Sequence, residues 1–430
     1  MQRIIYLLLM GLLTINVCNA QFSATGGANG TPYVIKPAGS TGLDQVFVFD
    51  GLDNAKISLK ADRPSEWIWY SYKINPNDAV AVPASDVQTT STETILSNVQ
   101  TDCGYMVVSE AGVKAYVYVV GYFKFDGENF KPTADCDVCH TLEFLIPAND
   151  GFVYYTTTGR SVTIKRLYNI TWNTLNWNST DKSYNTKEMS SSSVDITDFS
   201  IDAPLTDTYF YVTGDQFADY FGKTYSFKSE FFKTVAVKTN ASAELLERTA
   251  DNELDKVSSS GDLSGSAPLN INFSSNANDA VSFYEWLIYE SADDTGNYKR
   301  YTDENISPSF QETGTFLVKL NVSNSSCKDS ATFSPQVLVS YIDCPNFFTP
   351  RSSPGENDEF RVAYKSIISF KGIIINRWGN ILFEWTDPAL GWNGTYKGKA
   401  VSPGVYFYLI EAKGSDGVVY KKKGDINLLE

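Results

Sequence analysis

The run Cys136-Asp137-Val138-Cys139-His140 is the sharpest chemical pattern in the chain. Two thiols at this spacing can form thioethers to a porphyrin while the adjacent imidazole binds its iron. Cys103, Cys136, Cys139 and His140 together also supply the four soft or borderline ligands that a tetrahedral zinc site takes. Context argues against both readings. A haem-attachment motif normally follows a helix, whereas this one runs into Leu142 to Ile146, which reads as a strand. His140 is the only histidine, so any Ser-His-Asp or Cys-His arrangement must be built on it. Cys139 cannot easily use it as a base, because successive side chains on a strand point to opposite faces. Asp and Glu total 50, but no spacing singles out a catalytic pair, and surface carboxylates are usually just solvated. The expectation is no cofactor, no metal and no catalysis, with an exported enzyme or redox protein centred on Cys136, Cys139 and His140 as the alternative.

Cysteine in an exported chain more often forms disulfides. Of the six cysteines Cys18 lies in an apparent leader, which leaves Cys103, Cys136, Cys139, Cys327 and Cys344 as candidates. Cys327 and Cys344 are near each other in sequence at an expected domain junction, so a bridge between them is favoured. Cys103 would then pair with Cys136 or Cys139, leaving one thiol over.

The elements that must position these residues read as strands almost throughout. Arg3, the apolar run Ile4 to Val17 and Cys18-Asn19-Ala20 have the build of a secretory signal peptide over residues 1–20, with cleavage before Gln21. No later stretch approaches the ~20 apolar residues of a membrane helix. The composition, 43% hydrophobic and 14% aromatic, is that of a globular chain, and a net charge of −15 repels phosphate backbones, which discounts nucleic acid and anionic membrane as partners.

Short β-branched and aromatic runs at regular spacing divide the mature chain into four all-β units of immunoglobulin-like sandwich type, arranged as beads with few contacts across the junctions near 126, 258 and 341. Residues 21–126 form the first, with strands such as Val46 to Phe49, Trp67 to Tyr70 and Lys114 to Val120. Residues 127–240 form a second β-rich unit, in which Thr234 to Val237 is expected as a strand and the polar Asp181 to Ser193 as a long exposed loop. Residues 241–341 open on a segment readable either as a short helix, Leu246, Ala250, Leu254 and Val257 falling on one face, or as one strand plus a linker. Residues 342–430 form the last unit, where Pro403-Gly404 suits a type II turn and Asp416-Gly417 a tight hairpin. Trp67, Trp69, Trp172 and Trp177 could form a sugar-stacking platform, but aromatics mostly fill cores, and that is the reading preferred.

Two resemblances sharpen this picture. Ala267 to Phe273, Tyr284-Glu285-Trp286 and Gly314 to Val322 stand where a PKD-type immunoglobulin-like domain has its signature strands, although Leu287 to Glu290 replaces that family's usual Gly-Asp-Gly turn. The last unit carries an ordered set of motifs: Pro345, Asn346, Phe348, Thr349 and Pro350; Asn357 and Asp358; Asn376, Arg377, Trp378 and Gly379; Gly391, Trp392 and Gly394; Pro403, Gly404 and Tyr406. Together they resemble the gliding-motility-associated C-terminal domain, the type B sorting domain of the type IX secretion system of Bacteroidota. Arg351 to Asp358 stands in place of that family's common acidic run. The resemblance implies a secreted or cell-surface protein, carried across the outer membrane and docking to a PorP/SprF-like outer-membrane barrel and the type IX machinery. It acts through binding or as a scaffold, either as cargo or as a part of the secretion or gliding apparatus. Within this unit Trp378 and Trp392 are expected as core anchors, and Lys421, Lys422 and Lys423 as docking contacts, since three positive charges on an acidic protein can steer a partner. Asp329-Ser330-Ala331 resembles the short O-glycosylation motif of the same phylum, on an expected surface turn.

Overall fold

The computed structural model describes residues 21–125, 127, 130–133, 137–145, 151–256, 262–291, 297–352, 355 and 357–429. The expected signal peptide, Cys18 and Cys136 lie outside the described residues. Strands dominate; the single α-helix among the described residues is Gln216–Tyr220. No described helix is long and apolar enough to cross a membrane.

In the first unit a four-stranded and a six-stranded sheet face each other. The six-stranded sheet contains Gln45–Phe49, Lys114–Gly121, Cys103–Ser109 and Trp67–Tyr72, and its first two strands pair parallel. Side chains alternate across a strand, so Phe47, Phe49, Val117 and Val119 enter the sandwich core while Val46, Val48, Tyr118 and Val120 point the other way. The second set is also buried, because Phe152, Tyr154, Ile164, Phe217 and Phe221 of the next unit cover it. This apolar layer overturns the expectation of few contacts near residue 126. A sheet whose strands are apolar on both faces has to be covered on both, since each exposed apolar face would forfeit about 25 cal/mol per Å2. The short helix that supplies Phe217 is held by Asp215, whose Oδ1 accepts from the amides of Phe217 and Ala218. Its Oδ2 takes the buried Arg166 guanidinium, with Nε at 2.6 Å.

The second unit keeps a separate core around Phe125, Phe130, Leu142, Tyr168, Trp172 and Phe210. The segment expected as a loop is mostly the edge strand Ser183–Val194, paired along its length with Tyr168–Asn178. An edge strand exposes one flank to water and tolerates serines and charges there, so polarity alone misreads it. Thr234 to Val237 makes no ladder. Asn278 and Asn324 side chains instead donate to the carbonyls of Ala236 and Val235.

The third unit is a sandwich around Trp286, Phe273, Leu320 and Val322. Its entry segment takes the strand-plus-linker form, with the strand Ser242–Leu245 paired to Leu269–Ser274. Leu254 and Asn252 then exchange backbone hydrogen bonds with Tyr364 of the last unit. Ser330 is exposed but sits in the strand Lys328–Phe333 rather than in a turn.

The last unit is built on a five-stranded sheet containing Phe347–Phe348, Val419–Leu428, Gly404–Gly414, Ile367–Ile375 and Ile381–Trp385. Gly414 and Val418 close the hairpin at Asp416-Gly417, with Gly417 at φ 80°. Gly404 has φ 148°, far from the roughly +80° of a type II turn, because it already belongs to the extended strand that follows. The junction near 341 is polar and populated, while residues 257–261 lie outside the described residues. Ser366 Oγ accepts from the Ala267 amide and donates to the Leu338 carbonyl, while its own amide donates to Ser266 Oγ.

Candidate functional site

Most motif residues of the last unit build its core and its turns. Phe347–Phe348 adds to the sheet in parallel beside Asn427 and Leu428, and the Asn346 carbonyl takes the Asn427 amide. Phe348 and Trp392 are fully buried with ring centroids 5.4 Å apart, and Trp392 Nε1 donates to the Thr395 carbonyl at 2.9 Å. Gly391 is required by crowding: a Cβ there would lie 2.4 Å from Arg361 Cγ and 2.9 Å from the Phe360 carbonyl oxygen. Gly394, at φ 74°, turns the chain against Pro350 and Leu428. The Thr349 amide donates to the Asn357 carbonyl, and Asp358 Oδ2 accepts from the Gly355 amide. Tyr406 packs edge-on to Trp392 and donates its hydroxyl to the Ser402 carbonyl just before Pro403.

The Asn376–Asn380 turn departs from this pattern. Asn376 Oδ1 accepts from the amides of Trp378 and Asn380, both at 3.0 Å, and Gly379 closes the turn at φ 81°. This geometry throws Trp378 outward, and it is 72% exposed. The core-anchor expectation therefore holds for Trp392 and fails for Trp378. The side chain between two turn amides cannot also reach the core. The Arg377 guanidinium lies over the Trp378 ring, 4.4 Å from its centroid.

The three candidate lysines are divided by strand alternation. Lys421 and Lys423 are exposed on the outer face of Val419–Leu428, where Lys421 faces Glu411 at 3.6 Å. Lys422 points to the other face, 3.4 Å from Asp343. They lie across the ladder from Glu411, Ile410 and Leu409.

Of the cysteine–histidine pattern, Cys103, Cys139 and His140 are described and stand apart in function. Cys139 is bonded to Cys327, which links the turn after residue 136 to the third unit over a separation of 188 residues. The favoured Cys327–Cys344 bridge is thus incorrect. Sequence proximity misled because Cys344 enters the last unit's core, where burial pushes its thiol up to about 11, partly offset by Tyr408 and Lys422. Cys103 is buried in the first sandwich with its Sγ against the Tyr72 carbonyl, remote from Cys139. His140 is exposed and bonds Asp137 Oδ2 through Nδ1 at 2.8 Å. Among the described residues no cluster of three His, Cys, Asp or Glu could hold a metal. Trp69 and Trp172 are buried in their cores and Trp67 packs against the first. Trp177 lies 5.1 Å from Tyr184 near the tip of its hairpin.

Comparison with known proteins assigns two parts of the chain. Residues 342–428 match the CHU_C Type IX secretion signal domain. The match marks the chain for export to the cell surface or beyond. Residues 131–229 match a fibronectin type III domain, in the unit where the sequence suggested no family. Among solved structures, a tetra-tandem repeat in the extending region of a large adhesion protein is 12% identical, covering 89% of this chain and 98% of that one at a TM-score of 0.18. Sidekick-1 immunoglobulin domains 1-5 are 10% identical, covering 84% and 73% at 0.23. Chicken CNTN1 FN1-FN3 domains are 7% identical, covering 66% and 96% at 0.21. No curated protein matches. The signal domain and the fibronectin type III match fit a secreted surface protein, and the signal implies contact with the secretion machinery.

Proposed function

We propose that this chain is a non-catalytic binding or scaffold protein of the cell surface, delivered by its signal domain and presenting the three upstream sandwiches outside the cell. The observation that carries this reading is the signal-domain match over residues 342–428, a unit with its own core around Phe348, Phe360, Trp385 and Trp392. In this reading the signal domain docks to an outer-membrane barrel of PorP/SprF-like type. Lys421 and Lys423 are contacts that steer it, being the exposed pair of the basic strand. Among their described residues the upstream sandwiches hold no group of three His, Cys, Asp or Glu that could bind a metal, and their disulfide suits the oxidising route of export. Deletion of residues 342–430 is expected to strand the protein in the periplasm, with cell fractionation as the readout. Normal surface delivery of the truncated chain would reduce the match to a likeness of fold.

A further inference from the structure

The Asn376–Asn380 turn borders a cleft of about 440 Å3. Its walls include Trp378, Ile381, Leu382, Tyr396, Val401 and Tyr406. Stability does not account for it: a tryptophan left 72% exposed forfeits most of what burying its ring would contribute, and Ile381 and Tyr396 beside it are exposed as well. The turn that presents Trp378 is closed by the Trp378 and Asn380 amides donating to Asn376 Oδ1, a backbone path that directs the ring outward.

The rim is basic. Arg377 lies over Trp378, Lys397 Nζ stands 5.2 Å from the Tyr396 ring centroid, and Lys399 is paired with Tyr396 in the ladder, which puts the two side chains on one face. Among the described residues no carboxylate forms an ion pair with Arg377, Lys397 or Lys399, and none lines the cleft. This basic, aromatic hollow lies on a chain of net charge −15. Tryptophan and arginine at the edge of a pocket that a partner can desolvate are the residue types that dominate binding energy at interfaces.

We propose that this cleft is where the signal domain captures an acidic peptide segment of an outer-membrane component of the secretion machinery. A large apolar side chain of that segment enters beside Trp378 and Tyr396, and its carboxylates meet Arg377, Lys397 and Lys399. The inference rests on the docking role given to the signal domain above and names the pocket and partner chemistry of that role. Anionic sugar shares part of this chemistry. A protein segment is favoured because the cleft is formed by the signal domain's own motif turn.

The test places p-benzoylphenylalanine at position 378 of the full-length chain in a type IX-secreting host. Irradiation is expected to give an adduct with an outer-membrane protein, mapped by mass spectrometry to a segment that carries both carboxylates and a large apolar residue. An adduct with saccharide alone, with a segment lacking carboxylates, or no adduct from a chain that is exported would overturn the proposal. In parallel, Trp378→Ala and the double variant Arg377→Glu/Lys399→Glu should each lower the exported fraction about tenfold, the loss set by one interface anchor, at an unchanged melting temperature. Trp378→Phe should retain export. Normal export of Trp378→Ala would overturn the pocket while leaving the docking role standing, whereas a wild-type chain that never leaves the periplasm would sink the docking role and the pocket with it.

Discussion

The first and second units meet through oil; the third unit and the signal domain meet through hydrogen bonds. At the first junction Val46, Val48, Tyr118 and Val120 are covered by Phe152, Phe217 and Phe221, and Lys223 adds an ion pair to Asp50 at 2.7 Å. At the second, Ser366 ties Ala267, Leu338 and Ser266, Thr313 and Ser415 share a hydroxyl contact, and Asp416 receives both the amide and the hydroxyl of Ser340. Apolar burial is non-directional, and here it adds a shared layer between two units that each keep a core of their own, so that parting them would expose apolar surface on both. A polar seam is directional: it fixes orientation while leaving each side a core of its own. The seam sets the angle at which the signal domain is held while its core stays separate from that of the third unit.

The largest effect should come from the apolar junction. Phe217→Ala removes a fully buried ring from the shared layer and is expected to cost about 3–5 kcal/mol. If the layer fuses the two units, urea unfolding should show the first and second sandwiches moving together to lower denaturant, with the signal domain's transition unchanged. A shift confined to the second unit would show that the apolar layer does not couple the two sandwiches.

Cys327→Ser comes next. It opens the link between the second and third units and is expected to cost about 2–4 kcal/mol under oxidising conditions and nothing under reducing ones. Thermal melts with and without reductant separate the two.

Much of this architecture was legible in the sequence, and what was not has physical causes. The all-β class and the signal domain's hairpin followed from short β-branched and aromatic runs, as at Val405 to Ile410, and from turn residues, as at Asp416-Gly417. The fused junction was written in the unbroken apolar runs Val46 to Phe49 and Ala115 to Val120, which lack the alternation of a sheet with one wet face. The Cys139–Cys327 bridge joins residues 188 apart, and no local pattern encodes a pairing of that range. Trp378 and Trp392 each precede a turn residue. Only the asparagine-capped turn, with Asn376 two residues before Trp378, distinguishes the exposed ring from the buried one.

A smaller effect tests the polar seam directly. Ser366 is fully buried, so Ser366→Ala leaves the Ala267 amide and the Leu338 carbonyl without that partner, at about 1–3 kcal/mol. Hydrogen exchange should quicken around Ala267 and Ser366 and stay unchanged at Phe217.

The smallest effect is a pH response at the same seam. Burial pushes the Asp416 carboxyl up, but hydrogen bonds from the Ser340 hydroxyl, the Ser340 amide and the Val418 amide outweigh it and hold the group below its ordinary value. A carboxyl depressed in the folded state contributes stability that is fully present above its unfolded value, about 3.9, and is lost as pH falls through the folded value. The seam should therefore keep its protection between neutrality and about pH 4 and loosen only below that. Asp416→Asn should remove this acid step, at a cost under about 1 kcal/mol at neutral pH, because the side chain is solvent-exposed and its amide oxygen still accepts. Amide exchange at Ser340 and Val418, followed from pH 6 to pH 3 in both proteins, reads the difference; identical acid profiles would show that Asp416 does not hold the signal domain in place.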